Sequence, residues 1–175
     1  MMRSVLGGAS SRGLTLLAAG AAAATIGFSA APGAAAPDAL ADPADTADLA
    51  EQVLQLTNQQ RLAAQLPPLA SEPALGQAAQ QYAGVLALGG CFAHTCGPVP
   101  NVSDRDETAG YLGWVALGEN IAAGQPGPAQ VVAAWMQSPG HRANILSPSF
   151  TQIGAGVALT DDGYKCYWVE DFGAR

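Results

Sequence analysis

The sequence predicts an α+β domain in which helices pack on a small antiparallel sheet. Apolar residues recur at helical spacing from about residue 46 onwards, and they alternate with other residues near the end of the chain. The dipeptide Asp162-Gly163 separates two such alternating stretches, and it favours a tight turn between antiparallel strands. Helices that precede a short run of paired strands are typical of the α+β class.

Two helices are predicted in the first part of the domain. The first begins near Thr46 and ends before Pro67-Pro68, because proline cannot continue a helix. The residues that repeat at helical spacing along it are Leu49, Val53 and Leu56. Ser71 is a favourable N-cap for the second helix, and Gly89-Gly90 ends it. The apolar stripe of this second helix consists of Leu75, Ala79, Tyr82 and Leu86.

Shorter helices and three strands complete the predicted fold. A helical turn starts at Ser103, has Asp106 as a weak capping box and closes at Gly110. The segment "PAQVVAAWMQS" follows Pro126 and forms a helix whose apolar face comprises Val131, Val132 and Trp135. We expect strands at "GWVALGENIAAG", "QIGAGVAL" and "YKCYWVEDF". The residues expected to share a face are Ile153, Ala155, Val157 and Leu159 in the second strand, and Cys166, Trp168 and Phe172 in the third.

The start of the chain is typical of a cleaved secretory signal. Basic residues precede an apolar run from Leu14 to about Ala31, which is too short and too rich in small residues for a membrane span. Small residues then favour cleavage between Ala36 and Asp42. The predicted organisation is a signal peptide over residues 1–41, a short acidic linker over 42–46 and a single domain over 47–175.

The charge of the exported domain excludes several kinds of partner. Removal of Arg3, Arg12 and Asp38 with the signal leaves 5 basic and 13 acidic residues, so the net charge becomes −8 instead of −7. An acidic domain without a basic run lacks the surface that neutralises phosphates in nucleic-acid complexes. We therefore expect a secreted, extracellular monomer that binds no nucleic acid and has no membrane anchor.

The three cysteines allow more than one disulfide. An exported protein meets an oxidising environment in which disulfides persist. We favour a bond between Cys91 and Cys96, which would close a tight loop around His94, and we expect Cys166 to pack as a small apolar residue. A bond from Cys166 to either of the other two cysteines remains open at this point.

Four motifs in order resemble the CAP superfamily of cysteine-rich secretory proteins, antigen 5 and pathogenesis-related 1, also called SCP-like. They are "GENIAAG", "VVAAWMQSPGHRANIL", "IGAGV" and "YWVEDFG", and the resemblance covers about residues 47 to 173. A bacterial SCP-like domain would have an α-β-α sandwich, with an antiparallel sheet between two helical layers.

The resemblance also implies a central cleft. Family members gather two histidines and acidic residues there, and these can hold a divalent metal ion such as zinc or calcium. The matching residues are His94 in "FAHT", Glu119 in "GEN" and His141 in "GHR". Two imidazoles and a carboxylate are typical ligands of an open zinc site. A further family glutamate is missing, because Gln137 and Ser138 stand near its place.

The same residues also have simpler interpretations. A histidine between turns often bonds only to loop backbone, and Glu119 would then pair with Arg142 or with the amide of Asn120. Asn144 would likewise satisfy loop backbone. The three tryptophans are expected in the core and in a groove wall, and they are Trp114, Trp135 and Trp168.

Three classes of function follow from this sequence. The first is a secreted binding module, whose cleft and apolar groove take a small hydrophobic ligand such as a lipid or sterol, or an extracellular protein. The second is a metal-dependent hydrolase, of peptidase or esterase type, that uses the same cleft. The third is a Cys-His nucleophile pair with Cys166 or Cys91, for which no orienting third residue is evident. We expect a binding protein, with no catalytic residue assigned.

Overall fold

A computed structural model describes residues 43–161 and 166–175. Within these ranges the chain forms five helices and four strands. In chain order they are α1 (Pro43–Ala63), β1 (Ala70–Ser71), α2 (Pro73–Ala87), α3 (Val102–Thr108), β2 (Ala116–Ala123), α4 (Pro128–Gln137), α5 (Pro139–Ile145), β3 (Gln152–Leu159) and β4 (Cys166–Ala174). The predicted signal peptide, its cleavage site and the predicted Asp162-Gly163 turn lie outside the described residues.

The strands form one sheet in the order β1-β3-β4-β2. Strand β4 is central and runs antiparallel to both β3 and β2, as the alternating patterns predicted. Its register places Asp171 opposite Glu119, and Glu170 opposite Asn120. Strand β1 was not predicted and pairs with β3 in a parallel direction, so the sheet is not purely antiparallel.

Helices cover both faces of the sheet, which confirms the α+β class and the α-β-α sandwich. Helix α2 packs on one face, and α1 packs on the other face together with α4 and α5. The larger core lies on the α1 side and includes Trp135, Trp168, Phe172, Ile153 and Val157. The smaller core lies on the α2 side and includes Tyr82, Leu86, Ile121 and Val169. The predicted apolar stripe of α2 therefore faces the sheet. The predicted apolar face of β3 belongs to the larger core.

Helix α2 lies directly on strand β3 because the strand has glycines on that face. A Cβ atom on Gly154 would lie 2.1 Å from the backbone nitrogen of Gly76, and one on Gly156 would lie 2.3 Å from the backbone of Gln80. The Gln80 side chain also exchanges two hydrogen bonds with the backbone of Val157, at 2.9 and 3.1 Å. The glycines of "IGAGV" thus fix the distance between this helix and the sheet.

The beginnings of three helices differ from the prediction. Helix α1 starts at Pro43, so that residues 43–46 belong to the helix and not to a linker; proline is accepted in a first turn. Glu72, not Ser71, caps α2, because Ser71 belongs to β1 and pairs with Ile153. Asn101 caps α3 by accepting from the backbone of Asp104 at 3.1 Å, and the predicted capping role of Asp106 is wrong.

Helix α5 contains His141 and was not predicted. Pro139 occupies the first turn of this helix, where its missing N–H has no bond to make. The buried Arg61 of α1 donates to the carbonyls of Ile145 at 2.9 Å and Ser147 at 2.8 Å, at the end of α5. Its burial lowers the pKa of Arg61. Helix α1 therefore holds the helix that carries His141.

Cys91 and Cys96 form a disulfide with their Cα atoms 5.7 Å apart, which confirms the favoured pairing. Cys166 is partly buried against the larger core, as expected. Trp135 and Trp168 are core residues, whereas Trp114 is half-buried and donates to Glu107 at 3.0 Å. Within the described ranges, no helix combines the length and apolar character that a membrane span requires.

Candidate functional site

His94 and Glu119 are in direct contact. The Nδ1 atom of His94 lies 2.7 Å from Oε1 of Glu119, and the His94 side chain is 58% exposed whereas that of Glu119 is 2% exposed. His94 belongs to the disulfide loop, whose Ala93 carbonyl accepts from the Tyr82 hydroxyl at 2.6 Å. Glu119 extends from β2 towards the α2 side of the sheet, as does Ile121. The loop and the strand thus place one imidazole over a buried carboxylate.

The second oxygen of Glu119 forms an ion pair with Arg105 of helix α3. The Arg105 side chain is buried, and its guanidinium lies 3.5 Å from the centre of the Tyr82 ring. Arg105 also donates to the carbonyls of Pro100 at 2.7 Å and His94 at 3.2 Å. Arg105 was not predicted as a site residue. The scarcity of cations in this acidic chain, with 7 Lys and Arg against 14 Asp and Glu, could have indicated it.

Two further acidic side chains are buried beside this pair. Asp106 and Asp171 are fully buried, and none of their carboxyl oxygens has a hydrogen-bond partner among the described residues. Burial, opposed by Arg105 and reinforced by Glu119, raises the pKa of Asp106 to about 7. Burial and the neighbouring Glu119 and Asp106 carboxyls raise the pKa of Asp171 well above its ordinary value. Near neutral pH these acids therefore retain protons more readily than exposed ones.

His141 approaches the same region from the other side of the sheet. The side chain of Asn120 donates to the His141 carbonyl at 3.2 Å. Asn144 donates to the side chain of Asn120 at 2.9 Å and to the backbone carbonyl of Glu119 at 3.1 Å. Burial and the nearby imidazole of His94 lower the pKa of His141, so its ring is neutral at neutral pH. A neutral imidazole has one donor and one acceptor nitrogen.

A pocket of about 300 Å³ adjoins His141. Its wall is mostly apolar, and the polar side chains are few: His141, Gln125 and Ser138. The remaining lining residues are Phe92, Ile121, Ala122, Ala123, Ala134 and Trp135. Phe92 is 50% exposed and stands two residues before His94. The pocket therefore has His141 in its wall, and Phe92 brings the segment that carries His94 to its edge.

The arrangement does not fit a bound metal ion. Among residues 43–161 and 166–175, no group of three or more His, Cys, Asp or Glu side chains is placed to hold one. Both oxygens of Glu119 already have partners, and one of these is the cation of Arg105. A metal ion at His94, Glu119 and His141 would have to replace the contact between His94 and Glu119, and it would share that carboxylate with the cation of Arg105. The metal role of these three residues therefore stays a prediction, and the geometry of Glu119 argues against it.

The other sequence-based assignments have mixed outcomes. Gln137, near the place of the missing family glutamate, is exposed, whereas Ser138 lines the pocket. The alternative pair between Glu119 and Arg142 is not formed, and Arg142 is exposed. Asn144 was expected to satisfy loop backbone, and it instead donates to the carbonyl of Glu119 in strand β2.

Comparisons with known proteins show the family of this chain. The model of the cysteine-rich secretory protein family, CAP, matches residues 54–172. YkwD of Bacillus subtilis (strain 168) is 35% identical over 130 residues, which are 74% of this chain and 49% of YkwD. This chain thus spans about half the length of that curated relative.

Two solved structures share the fold. One is an extracellular protein containing an SCP domain from Bacillus anthracis, with a TM-score of 0.66 and 26% identity; the match covers 77% of this chain and 44% of that protein. The other is an outer surface protein from Borrelia burgdorferi, with a TM-score of 0.64 and 23% identity; that match covers 71% of this chain and 91% of the other.

Proposed function

We propose, from the premise that this chain belongs to the cysteine-rich secretory protein (CAP) family, that it is an extracellular binding module for a small, mainly apolar ligand. The observation that carries the proposal is the apolar pocket that ends at His141. Ligand sites are usually concave and apolar, with a few polar groups that fix the orientation of the ligand. This pocket has that composition.

The pocket favours an acyl chain or one end of a sterol. Each methylene group that leaves water contributes about 0.8 kcal/mol, so a chain of six in the pocket gains roughly 5 kcal/mol before the costs of association. His141 is neutral and can form a hydrogen bond with a hydroxyl or carboxyl group of the ligand. Apolar contact supplies most of the affinity in this proposal, and the imidazole selects the orientation.

Three observations support an extracellular location. The N-terminal residues have the composition of a secretory signal. The Cys91–Cys96 disulfide is typical of an oxidising compartment. The similar solved proteins from Bacillus anthracis and Borrelia burgdorferi are described as an extracellular and an outer surface protein.

The test is displacement of a fluorescent fatty acid by decanoic acid or cholesterol. Ala134 lines the pocket, so Ala134→Phe should fill it and weaken probe binding by at least about tenfold, equivalent to 1.4 kcal/mol. The matched control is Ala133→Phe on the exposed side of the same helix, which should bind as the wild type does. His141→Ala should also bind the probe nearly as well, because the chain contacts the apolar wall.

The proposal fails if the wild type binds no apolar probe, or if Ala134→Phe binds as tightly as Ala133→Phe. Turnover of an ester or a peptide that depends on zinc and on His141 would instead support the hydrolase hypothesis.

A further inference from the structure

We propose that Arg105 takes the place of a divalent cation in this cleft, and that it positions His94 through Glu119. Glu119 has one oxygen on Arg105 and the other on Nδ1 of His94. The three side chains thus form a chain of contacts that runs from a buried guanidinium to an exposed imidazole. The inference concerns the free cleft and does not depend on the ligand proposed above.

Arg105 is held from several directions, so it cannot easily yield its position. Besides Glu119, its guanidinium donates to the carbonyls of Pro100 and His94 and lies over the ring of Tyr82. The planar guanidinium suits such a combination of carboxylate, carbonyl and aromatic partners better than an ammonium group does. An incoming metal ion would compete with this buried cation for the negative charge of Glu119, and a buried charge whose partner is weakened is strongly unfavourable.

The charge of Arg105 also opposes a second cation at the same carboxylate. Glu119 is the acidic side chain to which both His94 and Arg105 are bonded. Asp106 and Asp171 lie nearby, and burial raises the pKa of both. With a guanidinium already paired to Glu119, the cleft offers a divalent ion less net negative charge than two histidines and a free glutamate would.

The consequence for His94 is a defined orientation. Glu119 contacts the imidazole through Nδ1, which leaves Nε2 as the ring nitrogen that a ligand can reach. A carboxylate that holds one ring nitrogen fixes both the orientation and the tautomer of a histidine. Arg105 acts on His94 through Glu119, so it is a positioning residue.

Zinc calorimetry at pH 7.5 tests this proposal on secreted protein purified without a histidine tag. Wild type and His141→Ala should give the same weak background. Arg105→Met removes the charge at similar length and should gain one zinc equivalent, bound at least about tenfold more tightly than that background. The double variant Arg105→Met/His141→Ala should lose this gain. Arg142→Met removes an exposed charge next to His141 and is the matched control, which should gain nothing.

Histidine resonances in NMR spectra of the wild type provide a second measurement. The chain has two histidines, so the ring signals are few. Zinc should leave both sets of signals of the wild type in place, and His94 should show one tautomer with hydrogen on Nδ1. Arg105→Lys, which retains the charge, should keep zinc out better than Arg105→Met does.

Two results would overturn the proposal. One is a wild-type zinc site that shifts both histidines and disappears in His141→Ala. The other is an Arg105→Met protein with native circular dichroism that gains no zinc site.

Discussion

Replacement of Glu170 by glutamine should change how the stability of the protein depends on pH. Glu170 is fully buried in β4, where it accepts from the Thr57 hydroxyl at 2.5 Å and from the Asn120 amide at 3.2 Å. Burial raises its pKa to about 7, and these two hydrogen bonds only partly oppose the effect. The carboxyl group therefore ionises less readily in the folded chain than in the unfolded chain.

The sign and size of the effect follow from this difference. The folded state holds the proton of Glu170 more tightly than the unfolded state does, so protonation of this group contributes to the free energy of unfolding. The contribution is fully present below the ordinary pKa of 4.5, and it is lost as the pH rises through about 7. At about 1.4 kcal/mol for each pH unit, the whole loss is about 3 kcal/mol. Between pH 5 and pH 8 the part attributable to Glu170 is about 2 to 3 kcal/mol.

Urea unfolding at pH 5 and pH 8 measures this loss. The free energy of unfolding of Glu170→Gln should decrease between these pH values by about 2 to 3 kcal/mol less than that of the wild type. Asp106 and Asp171 are present in both proteins, and Glu170 is only the last of the causes that raise the pKa of Asp171, so their contributions largely cancel in the comparison. Glu51→Gln removes an exposed carboxyl group and should behave as the wild type does. Equal losses in the wild type and Glu170→Gln would refute the reasoning.

Two other predictions concern packing and export. Gly156→Ala should lower the free energy of unfolding by about 3 kcal/mol in urea unfolding, because the added Cβ would lie 2.3 Å from the Gln80 backbone. The control is Gly84→Ala, since Gly84 has open space around it. An unchanged unfolding midpoint in Gly156→Ala would contradict the close contact. Intact mass spectrometry of protein from the culture medium should show a start between Ala36 and Asp42, and recovery of the full-length chain only in the membrane fraction would exclude export.

The sequence predicted the elements whose residues repeat with a clear period. Alternation in "QIGAGVAL" and "YKCYWVEDF" identified β3 and β4, and the apolar stripe identified α2. Elements set by distant contacts were missed. Strand β1 has two residues and exists because it pairs with Gln152 and Ile153, more than 80 positions away. Helix α5 was not predicted, because its Pro-Gly pair is more typical of a turn than of a helix.

The candidate site was predictable only in part, for the same reason. His94, Glu119 and His141 were named by their resemblance to family motifs, since no local spacing joins them. Arg105 belongs to no quoted motif, and its role depends on the ion pair with Glu119, which is 14 positions away. The sequence therefore indicated the histidines of the cleft and missed the cation that pairs with Glu119.

Strand β2 connects the two histidines because adjacent residues of a strand face opposite sides of the sheet. The Glu119 side chain lies on the α2 side and contacts His94. The next residue, Asn120, lies on the other side, where its amide bonds to the His141 carbonyl and to Glu170. A register shift of one residue would exchange these two faces and separate both histidines from their partners. The "GEN" motif thus supports one histidine from each face of the sheet: the glutamate contacts the His94 ring, and the asparagine bonds to the His141 carbonyl.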